Sequence, residues 1–146
     1  MSSPRLVPFE AWHLQGLLNR DTHQEDLPSL TMEKIRGGPA FTGMVDGIVL
    51  GCAGLVITWP GMAIGWMVLS EQIGRHAIWM TRTVRRVLRD ARRIYHLHRI
   101  EAVVLDGNVR NQRWIEMLGF SQEQQGIARH YTVDQGNVVR YEWIGG

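Results

Sequence analysis

The sequence is poor in several features that would each indicate a particular class of protein. It contains one cysteine, Cys52, so no disulfide can form within the chain, which suits a reducing compartment. No uncharged apolar run approaches the roughly 18 residues of a transmembrane helix, and the first eight residues lack the apolar segment of a secretory signal. With 45% hydrophobic and 21% charged residues, the composition is typical of a soluble globular protein.

Lysine is almost absent as well. Lys34 is the only one, and the other fifteen of the 16 basic residues are arginine, in a chain whose formal net charge is +2. Arginine makes forked contacts to phosphates and carboxylates better than lysine does. A GC-rich coding sequence also produces this bias, so composition alone identifies no partner.

The length of 146 residues suits one domain with one core. We find no internal repeat, linker or low-complexity segment, and therefore predict a single domain over residues 1–146. Apolar spacing predicts a first helix from Phe9 to Leu18. A second, short helix is expected to begin at Ser29 or Thr31 and to end at Gly37.

The next segment alternates in the manner of β-strands. Asp46-Gly47, flanked by two apolar runs, is a strong signal for a type I′ hairpin, and Pro60-Gly61 marks the following turn. We predict an antiparallel meander of three strands: Phe41 to Val45, Ile48 to Ile57 and Met62 to Leu69.

The longest predicted helix runs from Arg75 to Tyr95. One side is apolar, and the other carries six arginines within an arc of about 120°: Arg82, Arg85, Arg86, Arg89, Arg92 and Arg93. The helix connects the Met62–Leu69 strand to a strand at Arg99–Leu105. Such a crossover makes the two strands parallel.

The C-terminal part has the clearest signals for where its helices and strands begin and end. The strand at Arg99–Leu105 is followed by a helix from about Asn108, a candidate cap, to Leu118. Gly119 is expected to end this helix with a positive φ, so that Phe120 turns into the sheet. Two further strands are predicted, at about Ser121 to Val133 and Val138 to Ile144.

This order of elements, with Asn108 after a buried strand and Leu118-Gly119-Phe120 at the end of the next helix, resembles the GNAT superfamily, the acyl-CoA N-acyltransferases. The resemblance covers most of the chain and is most convincing after Asp46. It implies an α/β fold of GNAT type, with a mixed twisted sheet and helices on both faces. It also implies acetyl-CoA as the candidate cofactor.

GNAT enzymes hold the CoA pyrophosphate at the N-terminus of the long helix, in a loop of the pattern Gln/Arg-x-x-Gly-x-Gly/Ala. Backbone N–H groups and the helix dipole bind the anion, and glycine permits its close approach. The corresponding loop here is Ser70 to Ala77. By resemblance, the cofactor-binding candidates are Gln72, Gly74, Arg75, Ala77 and Asn108.

Neither register of this loop is intact. Aligning Gln72 and Ala77 with the pattern puts Arg75 where the central glycine belongs. Aligning Gly74 instead puts Glu71 in the Gln/Arg position and His76 in the Gly/Ala position. Because the arginine fills the loop or the glutamate repels phosphate, we expect weak binding of acetyl-CoA or none.

The catalytic groups of the family are also incomplete. Many GNAT enzymes protonate the departing CoA thiolate with a tyrosine in the helix after the Asn, and the spacing places Ile115 there. Tyr131 is the nearest replacement by sequence. Glu71 and Glu101 are candidates for the base, acting through water. The structural alternatives are a loop carboxylate balancing Arg75 and a strand carboxylate paired with arginine.

A smaller family shares more of the unusual residues, including Arg99-Ile100-Glu101 and Arg113-Trp114 before Leu118-Gly119-Phe120. The chain resembles the internal virion or core protein A of short-tailed bacteriophages, which has a GNAT-like fold and an eroded CoA loop. The resemblance implies a location in the host cytoplasm or the virion. Its expected partners are other virion proteins or further copies of the chain, with no membrane.

Two functions therefore stay open. The first is a phage virion or virion-associated protein that retains the fold for assembly, which the eroded loop and absent tyrosine favour. The second is a CoA-dependent N-acetyltransferase acting on an unknown amine, which the overall fold favours. The long helix also offers a candidate contact to DNA through Arg82, Arg86, Arg89 and Arg93.

Overall fold

A computed structural model describes residues 3–18, 37–105, 109–128 and 137–145 of the chain. Seven strands form one mixed sheet in the order β1-β2-β3-β4-β5-β7-β6. No helix within the described ranges is both long and apolar enough to cross a membrane. The strands are β1 (Arg5–Pro8), β2 (Ala40–Val45), β3 (Ile48–Trp59), β4 (Met62–Leu69), β5 (Arg99–Leu105), β6 (Ser121–Ala128) and β7 (Val138–Ile144). The helices are α1 (Ala11–Leu18), α2 (Ala77–Ile94) and α3 (Val109–Met117), and a 3₁₀ turn (Glu71–His76) precedes α2.

The predicted antiparallel meander is confirmed, because β2, β3 and β4 pair antiparallel in sequence order. The turn between β2 and β3 has φ values of 50° at Asp46 and 76° at Gly47. Positive φ at both central residues is the mark of a type I′ turn, whose twist matches the twist of the strands. The Asp46-Gly47 signal was therefore sufficient to locate this hairpin.

The sheet changes direction between β4 and β5. The crossover through α2 makes them parallel, as expected, but they pair only where Met62, Ala63 and Ile64 face Arg99, Ile100 and Glu101. Beyond these positions β5 continues along β7, with which it pairs from Arg99 to Leu105. The C-terminal half of β4 therefore diverges from β5, and a gap opens in the middle of the sheet.

Helices cover both faces of the sheet, as the GNAT resemblance implied. On one face, α2 and α3 pack over the central strands, and the indole N–H of Trp114 in α3 donates to Thr81 Oγ1 in α2, at 2.5 Å. On the other face, α1 packs on β3 and β4, where Leu17 joins a cluster with Cys52 and Trp66.

A chain of buried polar groups joins α1 to the sheet. The backbone N–H of Glu10 donates to His13 Nδ1 at 3.0 Å, so Nδ1 is an acceptor and the proton of the neutral ring lies on Nε2. Thr42 Oγ1 lies 2.8 Å from the same nitrogen and donates to it. The Cys52 thiol lies 3.4 Å from Thr42 Oγ1, and either group can be the donor of this hydrogen bond.

Some sequence predictions were wrong or incomplete. The long helix begins at Ala77 and not at Arg75, because Gly74 interrupts the 3₁₀ turn with φ 41° and ψ −122°. Strand β1 was missed, since four residues ending in Pro8 carry little pattern. The predicted second helix and the end of the Ser121–Val133 strand lie outside the described residues.

Gly119 has φ +102°, which confirms the predicted left-handed end of α3. Replacing it with valine puts a β-branched residue in a conformation that it disfavours, although space for a Cβ is open there. We expect Gly119→Val to lower the free energy of unfolding by about 1–3 kcal/mol in urea titration. Met117→Val, at an exposed position of the same helix end, is the control and should cost less than about 1 kcal/mol. Equal losses for the two variants would contradict the prediction.

The buried His13 network should make stability depend on pH. Burial, only partly opposed by Glu10, lowers the pKa of His13 below its ordinary 6.5. The unfolded chain then binds more protons than the folded one, so stability is complete above pH 6.5 and falls as pH drops towards the folded pKa.

We expect the free energy of unfolding of the wild type to fall below pH 6.5 more steeply than that of His13→Gln, whose amide oxygen accepts the same hydrogen bonds without titrating. The idea fails if His13→Gln and wild type lose stability in parallel between pH 7 and pH 5, roughly the window in which histidine titrates.

Candidate functional site

A cavity of about 490 Å³ opens where β4 and β5 diverge. Its walls are mainly apolar and come from β1 to β5, from α2 and from α3, with Phe120, Glu123 and Arg140 added from the C-terminal part. Gly65, Met67, Ala102, Val84, Leu88 and Ile115 are among the residues that line it. An enclosed apolar cleft with a few polar groups is the usual form of a small-molecule site.

Gly65 leaves part of this space open on β4. A Cβ added there would lie 3.6 Å from Ile100 Cγ2 and 3.7 Å from Leu55 Cδ2, which are ordinary contact distances. An alanine therefore fits, while a larger side chain would occupy the gap between the strands. Trp66, the next residue, lines the same cavity and is only 5% exposed, and its indole N–H has no partner among the described residues. The nitrogen is buried in the cluster that α1 covers, 2.7 Å from a Cβ built at Gly54, so it is closed to a ligand in this conformation.

The turn before α2 has the backbone of an anion site. Gly74 adopts the conformation that glycine alone reaches easily, and it is exposed, with nothing within 4 Å of an added Cβ. His76 precedes the first turn of α2 and makes no side-chain capping hydrogen bond. The first N–H groups of α2 and the positive end of its dipole are therefore not capped by that side chain.

Arg75 lies beside this turn but does not line the larger cavity. Its exposed side chain, with His76 and Asp46, borders a second cavity of about 230 Å³ next to the β2–β3 turn. The positive φ of the loop falls on Gly74 and not on Arg75. The arginine therefore stands outside the cleft, near the helix N-terminus.

The other predicted site residues are only partly described. Ala77 is the first residue of α2 and is half-buried. Glu71 and Gln72 lie in the 3₁₀ turn, where the structure describes their backbone alone. Tyr131 and Asn108 fall outside the described residues. The structure thus brings Gly74, Arg75 and Ala77 together and leaves the roles of the remaining residues as predictions.

Carboxylates lie at the opposite end of the cavity, where Glu101 and Glu123 contribute to its lining with Arg140. Arg99 connects them: its guanidinium lies 2.8 Å from Glu142, 2.9 Å from Glu123 and 3.6 Å from Glu101. Burial lowers the pKa of Arg99, but these three carboxylates outweigh that effect and raise it. Glu101 is therefore paired with Arg99, as one of the sequence alternatives predicted.

Sequence reasoning missed Glu123 and Glu142 because only the pairing of β5, β6 and β7 brings them to Arg99. Glu101 faces Glu142 across β5 and β7, and Ser121 of β6 pairs with the same Glu142. No local spacing contains this information. Alternation on β7, with its charged residues Arg140 and Glu142 on one face, was the available signal.

Three other buried residues bear on the chemistry of the cleft. Burial raises the pKa of Cys52 to about 11, against a smaller opposing effect of its hydrogen bond to Thr42, so it is no nucleophile at neutral pH. Ile115 is buried where GNAT enzymes place the acid. Tyr141 is also buried, but its hydroxyl donates to Glu116 at 3.4 Å, and burial together with Glu116 raises its pKa.

No protein-family model matches the sequence, and no curated protein matches it in sequence either. Solved structures do match in fold. An acetyltransferase of the GNAT family from Streptococcus pneumoniae superposes with a TM-score of 0.75 at 15% identity, covering 99% of this chain and 100% of that one. The IAA acetyltransferase from Bacillus cereus gives 0.72 at 16% identity, with coverage of 99% and 100%.

A chimera of the spermidine N-acetyltransferase SpeG from Vibrio cholerae and hSSAT gives a TM-score of 0.72 at 17% identity, covering 97% of this chain and 95% of that one. At these identities the likeness concerns the fold. The mixed seven-stranded sheet, the diverging central strands and the helices on both faces are those of the GNAT acetyltransferases, and the chain has the GNAT fold.

Proposed function

We propose that this chain binds a CoA thioester in the cavity between β4 and β5 and transfers its acyl group to an amine. The observation that carries this proposal is the gap itself. Two parallel strands that pair over three positions and then diverge leave backbone groups and an apolar cleft free for an extended ligand. A fold retained only for packing has no need of such a gap.

The residues around the gap fit the chemistry of CoA. The arm of the thioester is extended and largely apolar. It suits this cleft, because Gly65 has no side chain that would narrow it. The pyrophosphate suits the turn at Gly74 and the N-terminus of α2. In this proposal Gln72, Arg75 and Ala77 contact the pyrophosphate, and Asn108 stays a cofactor-binding candidate by resemblance.

The transfer itself moves one proton from the amine and delivers one to the leaving sulfur. The amine nitrogen forms a bond to the thioester carbonyl carbon, the carbon–sulfur bond breaks, and the thiolate is protonated. A carboxylate removes the amine proton through water, and Glu71 at the end of β4 is our candidate. Glu101 is the weaker candidate because it is already paired with Arg99, at 3.6 Å. Tyr131 is the candidate acid.

Filling the gap should abolish binding without unfolding the protein. We expect Gly65→Val to weaken acetyl-CoA binding at least tenfold in calorimetric titration, because its two methyl groups enter the space between the strands. Gly65→Ala is the matched control, since its Cβ meets only ordinary contacts at 3.6 to 3.8 Å. We expect the wild type itself to bind weakly, at roughly micromolar concentration or above. A wild type that binds no acetyl-CoA would contradict the proposal.

The turn before α2 is tested by a separate substitution, at Arg75. If the pyrophosphate lies at the N-terminus of α2, Arg75→Ala should weaken acetyl-CoA binding by about 1–3 kcal/mol, the scale of a charge-assisted contact. Arg110→Ala, which removes an exposed arginine of α3, is the control for net charge. Equal effects of the two substitutions would indicate general electrostatic attraction and no contact at Arg75.

A second function is supported by a specific observation. Buried Ile115 occupies the position of the usual acid, and a protein that keeps the fold for assembly in a phage virion has no need of that group. In this alternative the chain is a virion or virion-associated protein, with other virion proteins or its own copies as partners. The same titration separates the two: assembly without catalysis predicts no acetyl-CoA binding by wild type and no effect of Gly65→Val.

A further inference from the structure

Positive charge is concentrated in one layer of the fold. Residues 75–95 and 109–118, which contain α2 and α3, carry nine arginines and two carboxylates, a net charge of +7. The whole chain has a net charge of only +2, so all other residues together carry −5. Charge separation on this scale creates a positive field on one side of a nearly neutral protein.

The outer surface of α2 is the centre of this charge. Every exposed residue from position 82 to position 93 is an arginine: Arg82, Arg85, Arg86, Arg89 and Arg93. Four of them, at positions 82, 86, 89 and 93, fall within about 60° of one another around the helix, and they span about 16 Å along its axis. We call these four residues the arginine stripe.

These side chains are not used by the fold. Arg89 and Arg93 are 73% and 81% exposed, and they face a single carboxylate, Asp90, at 3.9 and 3.5 Å. Ion pairs this exposed contribute little and leave most of the positive charge available. Arg92 differs from these arginines, because its guanidinium packs 3.9 Å above the ring of Trp143 and so contributes to the packing of the fold.

We propose that the arginine stripe binds the phosphate backbone of duplex DNA. Arginine makes forked contacts to phosphate, and a straight, rigid row of cations suits a rigid duplex that carries one negative charge per roughly 1.7 Å of its axis. Proteins that bind single strands use aromatic platforms for the bases, and the outer surface between positions 82 and 93 has no exposed aromatic residue.

An acidic protein is the poorer fit for this surface. Protein interfaces centre on apolar and aromatic side chains and are depleted of charge at the core. Between positions 82 and 93 the outer surface of α2 has no exposed apolar side chain, and the exposed apolar residues of the helix, Ile78 and Ile94, lie at its two ends, outside the arginine stripe. The contact with DNA should be independent of sequence, because phosphate contacts position a protein without reading bases.

The test is fluorescence anisotropy with a short labelled DNA duplex as probe. Four phosphate contacts predict that the affinity of the wild type falls about 150-fold between about 50 and about 200 mM salt. The double variant Arg82→Gln/Arg86→Gln retains two contacts and should lose only about 12-fold over the same range. It should also bind more weakly at the lower salt concentration. Glutamine keeps the helical propensity of these positions.

The matched control is Arg110→Gln/Arg113→Gln, which removes the same charge from exposed positions of α3. It should keep the salt dependence of the wild type. Equal effects of the two double variants, or equal binding to polyglutamate and to DNA, would reduce the interaction to net charge and overturn the proposal. Absence of wild-type binding at about 50 mM salt would overturn it as well. None of these outcomes depends on acetyl-CoA binding, so the two proposals fail separately.

Discussion

The short parallel pairing of β4 with β5 is the constraint on which the rest of the structure depends. On β4, only Met62, Ala63 and Ile64 pair with β5. The other edge of β5 pairs with β7 from Arg99 to Leu105. Because β4 turns away, its last residues lead directly into the 3₁₀ turn and α2. One geometric feature therefore opens the cavity and leads the chain into α2, which lines the cavity from Met80 onward.

The packing on the two faces keeps this gap open. On one face, α2 and α3 are held together by the Trp114–Thr81 hydrogen bond and span β4 and β5 from outside. On the other, the chain of His13, Thr42 and Cys52 fixes α1 to the meander. Helix packing thus supports each half of the sheet, and neither half depends on hydrogen bonds across the gap between β4 and β5.

The charged side chains are also divided between the helix layer and the sheet. Arginines cover the outer side of α2, while Arg99 gathers three carboxylates on the sheet. The apolar cleft between these layers is where a thioester would meet an amine in our proposal. Arg89 and Arg93 face solvent near one exposed carboxylate, Asp90, whereas Arg92 packs on Trp143, and this difference is why we assign the arginine stripe a separate role.

The sequence by itself determined most of the elements, because their signals are local: Asp46-Gly47 sets a turn, the apolar period sets α2, and Gly119 ends α3. The family resemblance also led to the prediction that Ile115 stands where many GNAT enzymes carry a tyrosine. Only the tertiary structure decided that Gly74 and not Arg75 bends the loop, that Arg75 stands outside the cleft, and that Glu123 and Glu142 meet Arg99. Those facts depend on strand pairing and on the divergence of β4 from β5, which join residues far apart in the chain and leave no periodic signal within it.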